Sequence, residues 1–482
     1  MATFVISTLT NAQTNLAIND EYYLLEGVTQ YFSTSTLNVT GTNTDVFVLG
    51  TLIATGGDVI ADAGNASSVI YIGPNGQVLA PDIFRPFNFT GNSAWVTNHG
   101  TISGGQSELA GANNTFVNTG TLNGTNGGQT IAALLMNGDN ARIVNNGLMT
   151  STSGSVIKLG GTSEVSNTGT ISGTLDAIIA TSLSISESLT LFNSGTITAP
   201  DDAIGAGSGA DSVINLGTIW GDVALGAGAD TYRANGSGVT EGLVEGQAGN
   251  DTLLGGDLAD DLDGGGDDDK LVGRGGDDIL AGGGGNDVIL GGAGNDDIDG
   301  GANNDTLNGN AGDDTILGDL GNDILVGQDG SDFLDGGADN DTMDGGNGDD
   351  VLEGGDGDDI LRGRAGEDDL AGGLGRDFLT GGQDADNFVF RALAETVVGA
   401  NRDQILDFEQ GADSIVVAGL SPGVFEFRGT AAFAPSGNPE LRLFETPTGS
   451  TIVQLDADGD GIADAEIRVA NVTGLTAEDF VL

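Results

Sequence analysis

The sequence contains few of the residues that most often cross-link a fold or form a catalytic site. It has no cysteine, one histidine, and only 14 lysines and arginines in 482 residues. Without cysteine, neither a disulfide framework nor a thiol site is available, so stability must come from packing or from bound metal. A single histidine also excludes the HExxH zinc motif, which needs two.

Positive charge is scarce because acids dominate: 71 aspartates and glutamates give a formal net charge of −57. A surface of this kind repels nucleic acid and anionic lipid headgroups, and it recruits counter-ions, multivalent cations above all. We therefore expect no nucleic-acid partner.

Targeting and membrane signals are also missing. No apolar run approaches the roughly 18 residues of a transmembrane helix, so the chain is not expected to span a membrane. The start, "MATFVISTLTNAQTNLAIND", lacks the basic and apolar regions of a secretory signal peptide, and the first basic residue is Arg85. If the protein is exported, its address is expected to lie elsewhere.

One segment holds most of the charge and has no proline. Residues 246–389 carry 37 acids and 5 bases, while four prolines precede residue 201, four follow residue 421, and none lies between. An absence of proline is typical of an uninterrupted hydrogen-bonded ladder.

This segment is sixteen consecutive nonapeptides, from Gly246 to Val389, without insertion or deletion. In every repeat position 1 is glycine, position 6 is aspartate and position 8 is large and apolar. The position-6 residues are Asp251, Asp260, Asp269, Asp278, Asp287, Asp296, Asp305, Asp314, Asp323, Asp332, Asp341, Asp350, Asp359, Asp368, Asp377 and Asp386.

Each choice has a physical reason. Glycine and asparagine allow six residues to curl into a tight turn with inward carbonyls, and the aspartate adds a hard carboxylate oxygen of the kind that calcium prefers. The remaining three residues suit a short strand whose middle member enters a core. The repeat predicts calcium-binding turns alternating with short strands.

The pattern resembles the GGxGxDxUx repeats of RTX proteins. The resemblance implies a parallel β-roll with two nonapeptides per coil and calcium ions in the turns, held by the sixteen position-6 aspartates. Repeats with Leu258, Asp267, Asn303, Asp339 or Asp384 at position 4 are expected to have weaker or distorted sites. The alternative, a disordered acidic linker, is expected to describe the same segment without calcium.

Residues 49–245 contain a looser repeat. Its key glycines are spaced near 24 residues apart, and short β-branched runs such as "DSVINL" lie between them. This predicts a right-handed parallel β-helix with two or three strands per coil and side-chain ladders at its corners; a β-sandwich is the alternative. Residues 1–48 are less regular and are interpreted as a cap or an assembly segment. The turn glycines are Gly50, Gly76, Gly100, Gly120, Gly147, Gly169, Gly195 and Gly217.

The last segment, 390–482, resembles the C-terminal domain of serralysin-type proteases in "DQILDFEQGADSIVVAGL" and the ending "TAEDFVL". The resemblance implies a cap on the roll and an uncleaved signal for type I secretion. Asp456, Asp458, Asp460 and Asp464 stand at positions 1, 3, 5 and 9 of an EF-hand-like loop, but Ile467 replaces the twelfth-position glutamate. Calcium binding and a purely structural acidic turn both remain open there.

The fold prediction is an all-β protein: a parallel β-helix running into a calcium-bound parallel β-roll, with a small β-rich C-terminal cap. No catalytic site is predicted, because His99 occupies a corner position held by other residues in sister coils. The preferred function is a secreted calcium-binding structural protein of the cell surface (S-layer, biofilm matrix or adhesin), which self-associates with calcium. Its partners would be the type I secretion machinery and, as a further candidate, a cell-surface glycan. The alternative is a polysaccharide-active β-helix enzyme, of lyase or epimerase type, carrying an RTX export segment.

Overall fold

Almost all regular structure is β-strand. The computed structural model describes residues 3–6, 15–16, 21–32, 37–39, 43–62, 67–81, 84–125, 132–180, 187–421 and 423–482. Across these ranges the one helix is a three-residue 3-10 turn, Ala477–Asp479, and no helix is long and apolar enough to cross a membrane. The chain divides into two compact units, residues 1–263 and 264–482.

The first unit is a parallel β-helix with three strands per coil. Every strand pairs in parallel with the equivalent strand of the next coil, for example Asp45↔Val69 and Thr121↔Leu148. All pairings described for this unit are parallel, which excludes the β-sandwich alternative for these residues.

Three stacks of strands form the coils. Stack 1 contains Thr3–Ile6, Glu21–Leu24, Asp45–Val48, Val69–Ile72, Trp95–Asn98, Thr115–Asn118, Ala141–Asn145, Ser163–Asn167, Leu189–Asn193, Ser212–Asn215, Thr231–Ala234 and Thr252–Leu254. Stack 2 contains Thr29–Phe32, Thr51–Ala54, Gln77–Leu79, Thr101–Gly104, Thr121–Gly124, Leu148–Ser151, Thr170–Ser172, Thr196–Gly205, Thr218–Ala227 and Val239–Glu241. Stack 3 contains Asn15–Leu16, Leu37–Val39, Ile60–Asp62, Phe87–Phe89, Ser107–Leu109, Leu134–Met136, Ile157–Leu159, Ile178–Ala180, the ends of the two ten-residue strands of stack 2, and Val244–Ala248.

Alternation along each strand builds the core of this unit. Strand side chains point in turn into the coil and toward solvent, so one row of apolar residues per stack is buried. In stack 1 this row is Tyr22, Val46, Ile70, Val96, Phe116, Ile143, Val165, Leu191, Val213, Tyr232 and Leu253, all fully buried.

An asparagine ladder runs along the corner after stack 1. Asn118 Nδ2 donates to Asn145 Oδ1, and Asn145 Nδ2 donates to Asn167 Oδ1, both at 2.8 Å. These side chains are fully buried, so the ladder satisfies amides that would otherwise be costly. The expected side-chain ladder is confirmed. Its members are Asn98, Asn118, Asn145, Asn167, Asn193 and Asn215.

The second unit begins as a parallel β-roll with two strands per coil. Strand partners lie 18 residues apart, as in Leu271↔Ile289 and Ile298↔Ile316, so two nonapeptides make one coil. Stack A contains Lys270–Gly275, Val288–Ala293, Thr306–Ala311, Ile324–Asp329, Thr342–Asn347, Ile360–Ala365, Phe378–Gln383 and Gln404–Ile405. Stack B contains Ile279–Gly284, Asp297–Ala302, Thr315–Leu317, Phe333–Ala338, Val351–Asp356, Asp369–Leu374, Asn387–Val389 and Ser414–Val416.

The position-8 residues, such as Ile289 and Ile298, are fully buried between the two stacks. The predicted fold class, an all-β solenoid with a parallel β-helix and a parallel β-roll, is confirmed.

The C-terminal strands pair onto the last strand of each stack. Ala465–Val469 pairs in parallel with Gln404–Ile405, and Phe480–Val481 pairs in parallel with Ser414–Val416. The first of these also forms an antiparallel sheet with Thr451–Asp456, which pairs in turn with Glu440–Glu445; the short strand Glu426–Phe427 extends this sheet. The added strands use backbone groups that would otherwise form an open edge.

Candidate calcium sites

Each nonapeptide turn of the roll places its position-6 aspartate between adjacent coils. Asp296, which closes the turn begun by Gly291, is 2% exposed although it lies just before a strand. Its Oδ1 accepts the backbone N–H of Asp278, one coil earlier, at 2.9 Å. The same bond recurs along both edges of the roll, for example from the Asp287 N–H to Asp305 Oδ1 at 2.7 Å. The aspartates therefore form two buried columns.

The second carboxylate oxygen is left without a protein partner. For Asp296, Oδ2 is buried and accepts no hydrogen bond. A buried anionic oxygen of this kind is costly unless a cation or a proton compensates it. The same holds for Asp287, Asp305, Asp314, Asp323, Asp332, Asp341, Asp350, Asp359, Asp368, Asp377 and Asp386.

Position 1 of the repeat has no room for a side chain, because this oxygen lies against it. A Cβ built on Gly291 would lie 2.2 Å from Asp296 Oδ2 and 2.9 Å from the carbonyl oxygen of Gly309 in the next coil. From Gly264 to Gly381, the distance from such a Cβ to the aspartate Oδ2 is 2.0 to 2.8 Å in every repeat. The backbone there is not left-handed, so glycine is required by space and not by φ.

The donor set fits calcium. The carboxylate oxygen without a partner and the position-1 carbonyl oxygen of the next coil both lie beside the position-1 glycine, and hard oxygen donors of this kind are the ligands that calcium prefers. Residues 246–389 contain no cysteine or histidine that would favour a softer metal. If calcium binds, the position-6 Oδ2 and the position-1 carbonyl of the following coil are the groups that would hold it, and the ion would supply the compensating positive charge.

Burial raises the pKa of the column carboxyls, against the weaker opposing effect of the backbone N–H that each accepts. The pKa rises to about 7 for Asp305, Asp314, Asp341, Asp350 and Asp386, to about 6 for Asp323, Asp359 and Asp368, and to about 8 for Asp377. The direction is the same for Asp287, Asp296 and Asp332. Without a cation, the folded roll therefore favours the protonated carboxyl.

Replacing the position-4 glycine has less effect on the turn than the sequence suggests. Asp267, Asn303, Asp339 and Asp384 have φ of 76° to 85°, a conformation that Asp and Asn tolerate, whereas the position-4 glycines of the sister turns have φ of 110° to 157°. The Leu258 turn departs: Asp260 Oδ2 accepts the Gly256 N–H at 2.6 Å. The prediction of weaker sites in these five repeats stays a prediction.

The aspartate columns extend beyond the nonapeptides, which the sequence analysis missed. In the first unit, Asp230 Oδ1 accepts the N–H of Asp211 and Asp251 Oδ1 accepts that of Asp230, both at 2.7 Å. However, Ala206 and Leu225 occupy position 1 of these two earlier turns, so a side chain stands where the roll has only glycine. The signal was present in "GSGAD" and "GAGAD".

In the second unit, the columns continue past the last repeat. Asp403 accepts the Asp377 N–H at 2.9 Å, and Asp413 accepts that of Asp386 at 3.1 Å. The coil that follows the last nonapeptide thus repeats the hydrogen bond of the roll without its sequence pattern.

The C-terminal acidic loop is only partly assembled. Asp456, Asp458 and Asp464 bring one carboxylate oxygen each within 4.8 Å of one another, whereas Asp460 is not part of this group. Both oxygens of Asp456 already accept turn N–H groups, including those of Gly459 and Gly461 at 2.8 Å. The hydrogen bonds therefore account for Asp456 as a structural acid.

A catalytic role for His99 finds no support in its contacts. Its ring lies 5.3 Å from that of Tyr71, and its Nδ1 hydrogen-bonds the Thr119 hydroxyl. Across the described ranges, no carboxylate hydrogen-bonds this ring.

The fold and the repeated turn define a class: parallel β-solenoids whose turns carry buried aspartates. The family model of the RTX calcium-binding nonapeptide repeat (four copies) matches within residues 243–388, so this segment consists of RTX repeats, which are calcium-binding repeats. The matched segments are 243–271, 254–289, 272–307, 290–325, 317–352, 344–379 and 353–388. A serralysin-like C-terminal domain is not among the matches.

No curated protein matches the chain. Among solved structures, the chain is similar to the AlgE6R3 subunit of the Azotobacter vinelandii mannuronan C5-epimerase, at 30% identity over 30% of this chain and 78% of that one. The TM-score is 0.25, so this likeness carries no argument about fold or function.

Proposed function

We propose that the protein is a secreted calcium-binding structural protein of the cell surface, which folds and assembles on extracellular calcium. The observation that carries the calcium proposal is the pairing, repeat after repeat, of a buried carboxylate oxygen without a protein partner and a glycine whose missing Cβ lets that oxygen lie against the backbone. The proposed ligands are the sixteen position-6 aspartates, with Asp260 the weakest because its turn is distorted.

Calcium would determine where the chain folds. In calcium-poor cytosol, the stacked carboxylates repel one another and burial disfavours their charged form, so the repeat segment stays extended and suitable for export. Outside the cell, where calcium is abundant, the ions neutralise the columns and the coils close, as in other proteins whose metal binding supplies folding free energy.

Export is proposed to use the type I secretion machinery, with the signal at the C-terminus. Deleting residues 470–482 should leave the protein inside cells, because the deletion removes the terminal segment that resembles such signals. The measurement is the share of protein in the medium against the share in the cell pellet. A charge-neutral substitution in the same segment, Thr473→Ser, serves as a control that should still be exported. Undiminished export of the truncated chain would contradict the signal assignment.

The structural role predicts ordered assemblies that depend on calcium. An acidic surface of this density needs cations before two copies can approach, and a solenoid exposes repeated features suited to arrays. Electron microscopy of purified protein should show sheets or filaments in millimolar calcium and none in EGTA. Monodisperse particles in calcium, together with breakdown of an anionic polysaccharide, would favour the enzyme alternative instead.

A further inference from the structure

The two outer faces of the β-roll differ in charge, although odd and even nonapeptides obey the same pattern. Because two repeats make one coil, odd-numbered and even-numbered repeats supply different stacks, and the outward residues of each stack form a separate face. Face A is defined as the outward side of stack A, and face B as that of stack B.

Face A collects positive charge. Its strands carry four bases, Lys270, Arg274, Arg362 and Arg364, against the acids Asp329 and Asp344. These four are the bases of residues 246–389 other than Arg376. Arg364 is paired within the face, donating to Asp344 through Nε at 2.9 Å, whereas Arg362 forms none of the ion pairs found in the described part of the chain. The strands of face A thus carry more bases than acids, although the chain as a whole has a net charge of −57.

Face B collects negative charge. Its strands contain no base, and one base from beyond them, Arg391, pairs with Glu353 at 2.8 Å. Asp297 and Asp369 are exposed on this face. The six strand acids are Asp297, Asp299, Asp335, Glu353, Asp356 and Asp369.

Both faces also expose apolar side chains. On face A, Ile324 is 46% and Val288 40% exposed; on face B, Ile279 is 53% exposed. Apolar residues flanked by opposite charges are the usual composition of a protein interface. Each face therefore offers burial as well as charge.

We infer that face A of one copy docks on face B of a second copy of this chain. The inference rests on the proposed structural role and identifies the surfaces that would carry out the assembly. Positive face A complements negative face B, whereas B against B places carboxylates opposite carboxylates. Seven strands at about 4.8 Å spacing and about 20 Å length give roughly 600 Å² per copy, hence about 1,200 Å² in total, which reaches the lower end of specific interfaces.

The geometry of this contact leads to growth instead of closure. The core lies between the two stacks, so faces A and B point away from each other. A copy bound through face A still offers its face B to the next copy, and such a heterologous contact propagates into an open array.

Two charge-reversed variants of the full chain test the pairing. The face A variant is Lys270→Glu/Arg362→Glu, and the face B variant is Asp297→Lys/Asp369→Lys; none of these four residues is a proposed calcium ligand. Sedimentation velocity in 10 mM calcium and low salt measures association, and circular dichroism checks that each variant gains β structure with calcium as the unaltered protein does. Arg142→Glu/Lys158→Glu, in the first unit, matches the charge change of the face A variant as a control.

We expect each face variant alone to associate at least about ten-fold more weakly than the unaltered protein, and the control to associate as the unaltered protein does. Mixed in equal amounts, the variants should associate again, since the intact face A of one variant meets the intact face B of the other. The pairing is overturned if the mixture stays monomeric, if both variants still form arrays, or if only the face B variant does. The pairing of faces A and B is also overturned if the unaltered protein folds with calcium but stays monomeric. That result would leave the proposal of calcium-dependent folding intact.

Discussion

Removing calcium at pH 7.5 is expected to unfold residues 246–389 while the β-helix that precedes the nonapeptides keeps its β structure. Hydrogen exchange measured by mass spectrometry on the full chain separates the two. In EGTA, peptides from the nonapeptides should exchange fully within seconds, whereas peptides from residues 132–180 should stay protected. In 10 mM calcium, both regions should be protected.

The reason is that calcium binding would contribute more free energy to the roll than an ordinary domain has as net stability. If each turn holds an ion with a dissociation constant near that of extracellular calcium modules, about 0.1–1 mM, then 10 mM calcium contributes about 1.4–2.7 kcal/mol per site. Summed over sixteen turns, this is on the order of 20 kcal/mol or more, above the roughly 5–15 kcal/mol net stability of ordinary domains. A roll deprived of its ions should therefore not remain folded.

The first unit has other sources of stability. Its strands bury a continuous row of apolar residues, and Asn145 is held by amide bonds to Asn118 and Asn167. Neither feature involves a cation. Protection of residues 132–180 in EGTA thus follows from the packing, and it supplies the internal reference for the loss in the roll.

Acid should partly replace calcium. The pKa values of the column carboxyls are raised in the folded roll, to about 7 for Asp305 and about 8 for Asp377, from an ordinary value of 3.8. Stability of the ion-free roll is then fully present below the unfolded pKa and is lost as pH rises through about 6 to 8. In EGTA, the far-UV β signal should be larger at pH 5 than at pH 7.5. Calcium-free protection of the nonapeptides at pH 7.5 would contradict the folding mechanism.

The roll could be predicted from sequence in nearly all its detail because the residue types within each repeat indicate which positions form the turn and which enter the core. Position 8 enters the core, as Ile289 shows, and position 6 is buried, as Asp296 shows. With no insertion, the register of one repeat determines that of the next, and errors do not accumulate.

The β-helix was predictable only in kind. Its coils differ in length, with successive partners such as Thr101↔Thr121 and Thr121↔Leu148 lying 20 and 27 residues apart, so no fixed register shows which of two or three runs pair. Likewise, Glu21–Leu24 pairs with Asp45–Val48, within a segment whose sequence had suggested no regular repeat. Both the register of the coils and the pairing of Glu21–Leu24 depend on long-range strand pairing, which no local sequence pattern indicates.

Asp211 and Asp230 were missed for the opposite reason. They share the turn and the hydrogen bond of the roll, but their surroundings at position 1, Ala206 and Leu225, belong to the β-helix core. Local sequence marks a turn, whereas the space beside a carboxylate depends on the neighbouring position and the next coil. Asp211 and Asp230 also bury an Oδ2 atom without a hydrogen-bond partner, as the aspartates of the roll do, so the residue at position 1 is what distinguishes their turns from those of the nonapeptides.

Gly291→Ala is therefore expected to eliminate the site at Asp296. The new Cβ would stand 2.2 Å from Asp296 Oδ2, far inside van der Waals contact, so the carboxylate would have to move away, although the backbone at residue 291 allows alanine. Native mass spectrometry in calcium should count at least one ion fewer than in the unaltered protein. The midpoint of calcium-induced folding should move to higher calcium, with a loss of about 1–3 kcal/mol of folding free energy at 10 mM calcium.

Gly284→Ala is the matched control. This glycine lies in a neighbouring turn, its backbone is also outside the left-handed region, and a Cβ there meets nothing within 4 Å. It should bind as many ions as the unaltered protein and change the folding free energy by less than about 1 kcal/mol, because alanine chiefly restricts the unfolded chain. A simple clash at residue 291 would lower stability while leaving the ion count unchanged. An undiminished count in Gly291→Ala would thus remove position 1 from the calcium site, whatever its effect on stability.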